Sequence, residues 1–153
     1  MNLSDNVQNS LKDAMRAKDQ TALRSLRAIK SAIILLQTEK GGSKELSEEA
    51  EIKLLQKLVK QRKDSAEIFS QQNREELAIK EKEEIEVIQQ FLPKQMSEDD
   101  LKVELVKIIS ITGASGMKDM GKIMGMASSR FAGQVDNKIM AALIKQLLPG
   151  DGN

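Results

Sequence analysis

Residues 58–97 read LVKQRKDSAEIFSQQNREELAIKEKEEIEVIQQFLPKQMS, and the spacing of their apolar side chains decides the class of fold. With Ile52 and Leu55 just upstream, Val59, Arg62, Ala66 and Phe69 recur at steps of three and four, which draws one face of a long helix. Asn73 falls where that helix breaks or the next one is capped. Leu77, Glu81, Ile85, Ile88 and Leu92 trace a further stripe, interrupted at its second position by a carboxylate. Pro93 has no amide to donate and disfavours helix at Leu92, so FLPKQMS (91–97) is a boundary. Ser97, followed by Glu98, Asp99 and Asp100, restarts a helical pattern with acids in its first turn, where the helix dipole favours them.

The same periodicity extends in both directions. Upstream, Leu3, Val7, Leu11 and Met15 step by four, with Ser4 as a plausible N-cap. Asp19 caps a second helix carrying Leu23, Leu26, Ile29, Ile33 and Leu36, which Gly41-Gly42 is expected to end. Ser47 with Glu48, Glu49 and Glu51 opens the long third helix. Downstream, three short helices are predicted, Glu98–Ile111, Met117–Phe131 and Asn137–Leu148. Gly113 and Gly133 close the first two, Asp136 caps the last, and Pro149-Gly150 ends it. No alternation of period two lasts long enough for a strand. The predicted fold is all-α: an N-terminal array of about four helices (1–92), a linker (93–96) and a small C-terminal three-helix module (97–149).

Composition narrows the chemistry. The chain has 153 residues, a net charge of +1, and no Cys, His, Trp or Tyr. Without Cys there are no disulfides, thiolate nucleophiles or zinc–sulfur sites. Without His, the commonest general acid–base group and metal ligand is absent. Three phenylalanines are too few to build a stacking platform for single-stranded RNA. No apolar run approaches the ~20 residues of a membrane span, and the first residues lack a basic region followed by an apolar one. These features predict a cytoplasmic protein without cofactor, metal, membrane contact or secretory leader.

Charge is balanced overall and uneven locally. Residues 53–63 (KLLQKLVKQRK) carry five bases and no acid, whereas residues 75–86 (EELAIKEKEEIE) carry six acids and two bases. Two successive antiparallel helices with complementary faces would account for this, as would a basic stretch that meets a polyanion. Carboxylate neighbours such as Glu83/Glu84/Glu86 and Glu98/Asp99/Asp100 do not face one another on a helix, and capping and solvation explain them. The Ser31/Lys30 and Ser128/Ser129/Lys122 groupings offer a nucleophile and a base but nothing marks them as a site. Catalytic residues are therefore not assigned.

The most unusual stretch is MKDMGKIMGMASSRF (117–131). Residues 113–133 hold five of the nine glycines and four of the eight methionines. Gly121 and Gly125 lie on one helical face, where each costs ~1 kcal/mol of helix propensity relative to Ala. Either a neighbouring helix packs tightly on them, or they form a bare surface for a nucleic-acid backbone, rimmed by Lys118, Lys122 and Arg130. Met117, Met120, Met124 and Met126 serve as flexible core filler or as an adaptable docking surface for protein.

Several runs resemble a known family. LRSLRAIKSAI (23–33), the 58–97 stretch and DMGKIMG (119–125), in that order, look like the YqeY family. Its members are stand-alone relatives of the tail of the aspartyl/glutamyl-tRNA amidotransferase, the GatB/YqeY domain. The likeness covers essentially the whole chain. It implies an all-helical N-terminal domain and a small helical domain like the tail that helps the amidotransferase hold tRNA. Lys122, Gly121 and Gly125 fall in the matched motif; Lys118 and Arg130 are added from helical geometry. The amidotransferase domain that activates the aminoacyl end with ATP has no counterpart here. Three readings follow: a non-catalytic accessory protein for tRNA or a tRNA–enzyme complex, an adaptor for an acidic protein partner, and a carbon–nitrogen ligase acting with glutamine as amide donor within a larger complex.

Overall fold

A computed structural model describes residues 2–39 and 45–148. Among the described residues there are seven α-helices, one short 3-10 helix and no strand. They are α1 (Leu3–Ala17), α2 (Gln20–Glu39), α3 (Glu48–Gln71), α4 (Glu75–Gln89), α5 (Glu98–Thr112), α6 (Met120–Arg130) and α7 (Asn137–Leu147). The chain divides into two compact units, Met1–Pro93 and Lys94–Asn153. The fold is all-α, as the periodicity predicts. The expected stops at Gly41-Gly42 and Pro149-Gly150 lie outside the described residues.

In the first unit α2 is central, packed on α1, α3 and α4, and α3 and α4 form the most extensive helix pair. Val7, Leu11, Leu26, Ile29, Leu55 and Ile88 are buried together in its core. The first stripe turns at its end: Ala14 is buried while Met15 is 53% exposed, because a helix of 3.6 residues per turn drifts off a strict step of four. Asn2, not Ser4, caps α1, accepting the Asp5 amide at 2.9 Å. A second cap comes from another helix, as Glu51 of α3 accepts the Leu3 amide at 2.7 Å. Asp19 and Ser47 cap α2 and α3 through the amides of Ala22 and Ala50.

Asn73 breaks the α3–α4 hairpin rather than capping its second helix. It adopts φ 59°, and the amides of Asn73 and Arg74 bond back to Ser70 and Phe69 carbonyls. That pattern is a Schellman stop with asparagine in the left-handed position glycine usually fills. The hairpin's complementary charges meet across the helices only where Arg62 approaches Glu84, among the described residues. The lysines of α3 face solvent instead.

The second unit closes around Leu105, Ile108, Ile123, Ala127, Met140 and Ile144. Ser97 caps α5 through the Asp100 amide, and Gly113 ends that helix at φ 69°. The expected helix from Met117 begins as a 3-10 turn, Met117–Asp119, before α6 proper. Asp136 caps α7 through the Lys138 amide at 2.8 Å. Gln95 and Met96 are bonded into this unit, through the carbonyls of Gly133 and Gln134.

Candidate nucleic-acid interface

The DMGKIMG run spans the join between the 3-10 turn and α6. The turn before it is held by the Asp119 carboxylate, which accepts the Ser115 amide at 3.0 Å. At 3.6 residues per turn, Ile123 and Ala127 fall on one side of α6, and both are fully buried. Gly121, Lys122, Gly125 and Ser129 fall on the opposite side, and all four are exposed. A Cβ placed at Gly121 or at Gly125 meets nothing within 4 Å. Tight packing against a neighbouring helix therefore does not explain either glycine. What they create is a strip of bare helix backbone open to solvent.

The cations are distributed unequally about this strip. Lys122 sits on it, and Lys118, on the 3-10 turn, is exposed as well. Arg130 is engaged elsewhere: its Nη2 lies 3.7 Å from Glu104 of α5, and its guanidinium lies 5.7 Å from the Phe131 ring centroid. Arg130 thus borders the strip only by leaving two partners. The methionines divide between both readings, with Met120 and Met124 packed on the core and Met126 42% exposed.

A cluster that the sequence reading did not single out lies in the first unit. Glu84 of α4 is buried, and its two oxygens face Arg24 Nε of α2 at 3.1 Å and Arg62 Nε of α3 at 3.7 Å. The latter is an ion pair too long to be a hydrogen bond, and Arg62 Nε is buried without a hydrogen-bond partner. Arg62 Nη1 donates to the Leu58 carbonyl at 3.1 Å. Half-buried Glu81 stands beside this group. Burial pushes its carboxyl above the ordinary value, the Glu84 charge adds to the rise, and Arg62 and Arg24 oppose it. The signal was present in the sequence: Arg62 fell on the apolar stripe of α3, and a cation there requires a buried anion. The cluster joins three helices and has the composition of a structural tie.

Among the described residues, no group of three or more His, Cys, Asp or Glu side chains could hold a metal ion. No described helix is long and apolar enough to cross a membrane.

Comparison with known proteins adds to this geometry. The model of the Yqey-like protein family matches residues 4–148. "Altered inheritance of mitochondria protein 41, mitochondrial" of Pyrenophora tritici-repentis (strain Pt-1C-BFP) is 30% identical over 144 residues, 93% of this chain and 78% of that protein. The protein of the same name from Lachancea thermotolerans (strain ATCC 56472 / CBS 6340 / NRRL Y-8284) is 40% identical over 87 residues, 57% of this chain and 46% of that one. These names correct one expectation. A composition free of Cys and leader features suggested the cytoplasm, whereas both relatives are named as mitochondrial proteins. Composition reports what chemistry a chain can do, and it carries no address. Matched along nearly its whole length, with the DMGKIMG run and its open glycine strip inside the match, the chain belongs to the YqeY family.

Proposed function

We propose that this chain is a non-catalytic accessory protein that holds tRNA, or a tRNA–enzyme complex, on the Gly121–Gly125 face of α6. One observation carries the reading: both glycines weaken the helix that contains them, and neither has a packing neighbour that requires it. Such a strip suits a ligand whose own backbone must come close. Lys122 and Lys118 stand where phosphates would be neutralised. Residues 112–145 hold five basic and two acidic side chains, so the field there is modestly positive. With only three phenylalanines in the chain and bare backbone at the centre of the strip, recognition rests mainly on shape and phosphate contacts.

Filter binding of total tRNA to the full chain tests this. Two or three phosphate contacts predict a loss of affinity of roughly ten- to forty-fold between ~50 and ~200 mM salt. Lys122→Glu is expected to weaken binding several-fold while leaving the fold intact, because its side chain is exposed. Absence of binding at ~50 mM salt would overturn the proposal, since phosphate contacts are strongest there.

A further inference from the structure

An apolar groove of about 420 Å³ lies in the first unit, between the second half of α2 and the first half of α3. Ala32 and Leu36 of α2 and Leu54 and Leu58 of α3 line it. Leu35, which also lines it, is 62% exposed and carries the apolar lining out to the surface. The α3 side of the groove, from Ala50 to Gln61, is three helical turns long.

The α3 rim is mainly basic. Lys53 and Lys57 line the groove, and Lys60 lies on the same outer face of α3 one turn on. Among the described residues Lys57 and Lys60 enter no ion pair, while Lys53 is held by Glu49 at 3.1 Å with both side chains exposed. Among the described residues Glu39 is the one carboxylate in the lining. We infer that this groove docks an amphipathic helix of a partner protein, two to three turns long, with acidic residues flanking its apolar stripe. The open, elongated shape suits side chains spaced at i, i+3 or i+4, and i+7, and the lysine row fixes which margin of the helix faces α3. The acids would sit opposite Lys57 and Lys60, so charge sets orientation and association rate while the leucines set residence time. This surface is separate from the glycine strip of α6 and carries its own ligand.

The test uses the full chain and a fluorescent peptide of about 14 residues, with leucines at helical spacing and glutamates along one margin. A peptide with lysines in place of the glutamates is the comparison, and amide shifts of the labelled protein report the location. Binding of the acidic peptide at least tenfold tighter than the basic one is expected, with shifts confined to residues 32–39 and 50–61. Leu35→Glu should remove it, and Lys57→Glu should narrow or reverse the preference; both positions are exposed, so neither variant threatens folding. Equal binding of the two peptides, shifts elsewhere, binding unaffected by Leu35→Glu, or no binding would each overturn the inference. tRNA binding by the Leu35→Glu variant, expected to be unchanged, keeps this outcome distinct from that of the α6 strip.

Discussion

A carboxylate enclosed by helices needs cations close by, and Glu84 takes them from two other elements. Burial of an ion costs several kcal/mol unless its partners are in place, so loss of one member is expensive even where the intact cluster contributes little net stability. Glu84→Ala is expected to cost about 2–3 kcal/mol in chemical denaturation, below the ~3–5 of a fully enclosed pair because the Arg24 side chain keeps 43% of its exposure. At its neighbour Glu81, ionisation works against the fold, since burial and the like charge of Glu84 both oppose it. Because burial raises the Glu81 carboxyl in the folded chain, the proton is bound more tightly when folded than when unfolded. The stability this supplies is complete below the unfolded value near 4.5 and is lost as pH rises through the higher folded one. At pH 7 the ionised group is a liability, softened by Arg62, Arg24 and solvent. Glu81→Gln should therefore raise the melting temperature slightly at pH 7, and the gain should shrink to nothing as pH falls toward 4. A variant less stable at pH 7, or a gain that persists in acid, contradicts this account.

Elements differ in how openly the sequence declares them. The starts of α2, α3, α5 and α7 were legible because Asp19, Ser47, Ser97 and Asp136 each place an acceptor over the first-turn amides. The start of α1 was not, since half of its cap is Glu51, contributed by a helix 48 residues away. The stop at Asn73 was legible as a position, but whether asparagine breaks or caps depends on φ, which tertiary packing sets. In α6 the glycines were legible as anomalies, yet only the open space above them separates a packing seam from an exposed strip. That space yields an element-scale prediction. With helical backbone and room for a methyl group, Gly121→Ala and Gly125→Ala should each stabilise the second unit by about 0.5–1 kcal/mol. The same variants should weaken tRNA binding if the backbone strip is the docking surface. Equilibrium denaturation and filter binding on one protein preparation read both effects. Destabilisation by either alanine would mean that the glycine is needed inside the fold.

At the scale of the molecule, the two cores share no residue. One gathers α1 to α4 around Ile29, Leu55 and Ile88, and the other gathers α5 to α7 around Leu105, Ile123 and Ile144. Pro93 stands at the end of the first unit, and just beyond it Gln95 and Met96 donate to the carbonyls of Gly133 and Gln134 in the second. Each unit thus carries a complete core of its own. Fragments 1–93 and 94–153 are each expected to fold alone, as judged by helical circular dichroism and cooperative unfolding. They should differ in resilience. The shorter fragment has ~60 residues, a size at which a domain buries only about 60% of its unfolded surface and is marginal, so it should melt at the lower temperature. Function should divide with the chain: the tRNA affinity should follow 94–153, which carries Lys118, Lys122 and the glycine strip, and the acidic peptide should follow 1–93, which carries the groove. A shorter fragment that shows no helix when isolated would tie its core to the first unit. A folded fragment 94–153 that retains no tRNA would move the RNA contact off the α6 strip.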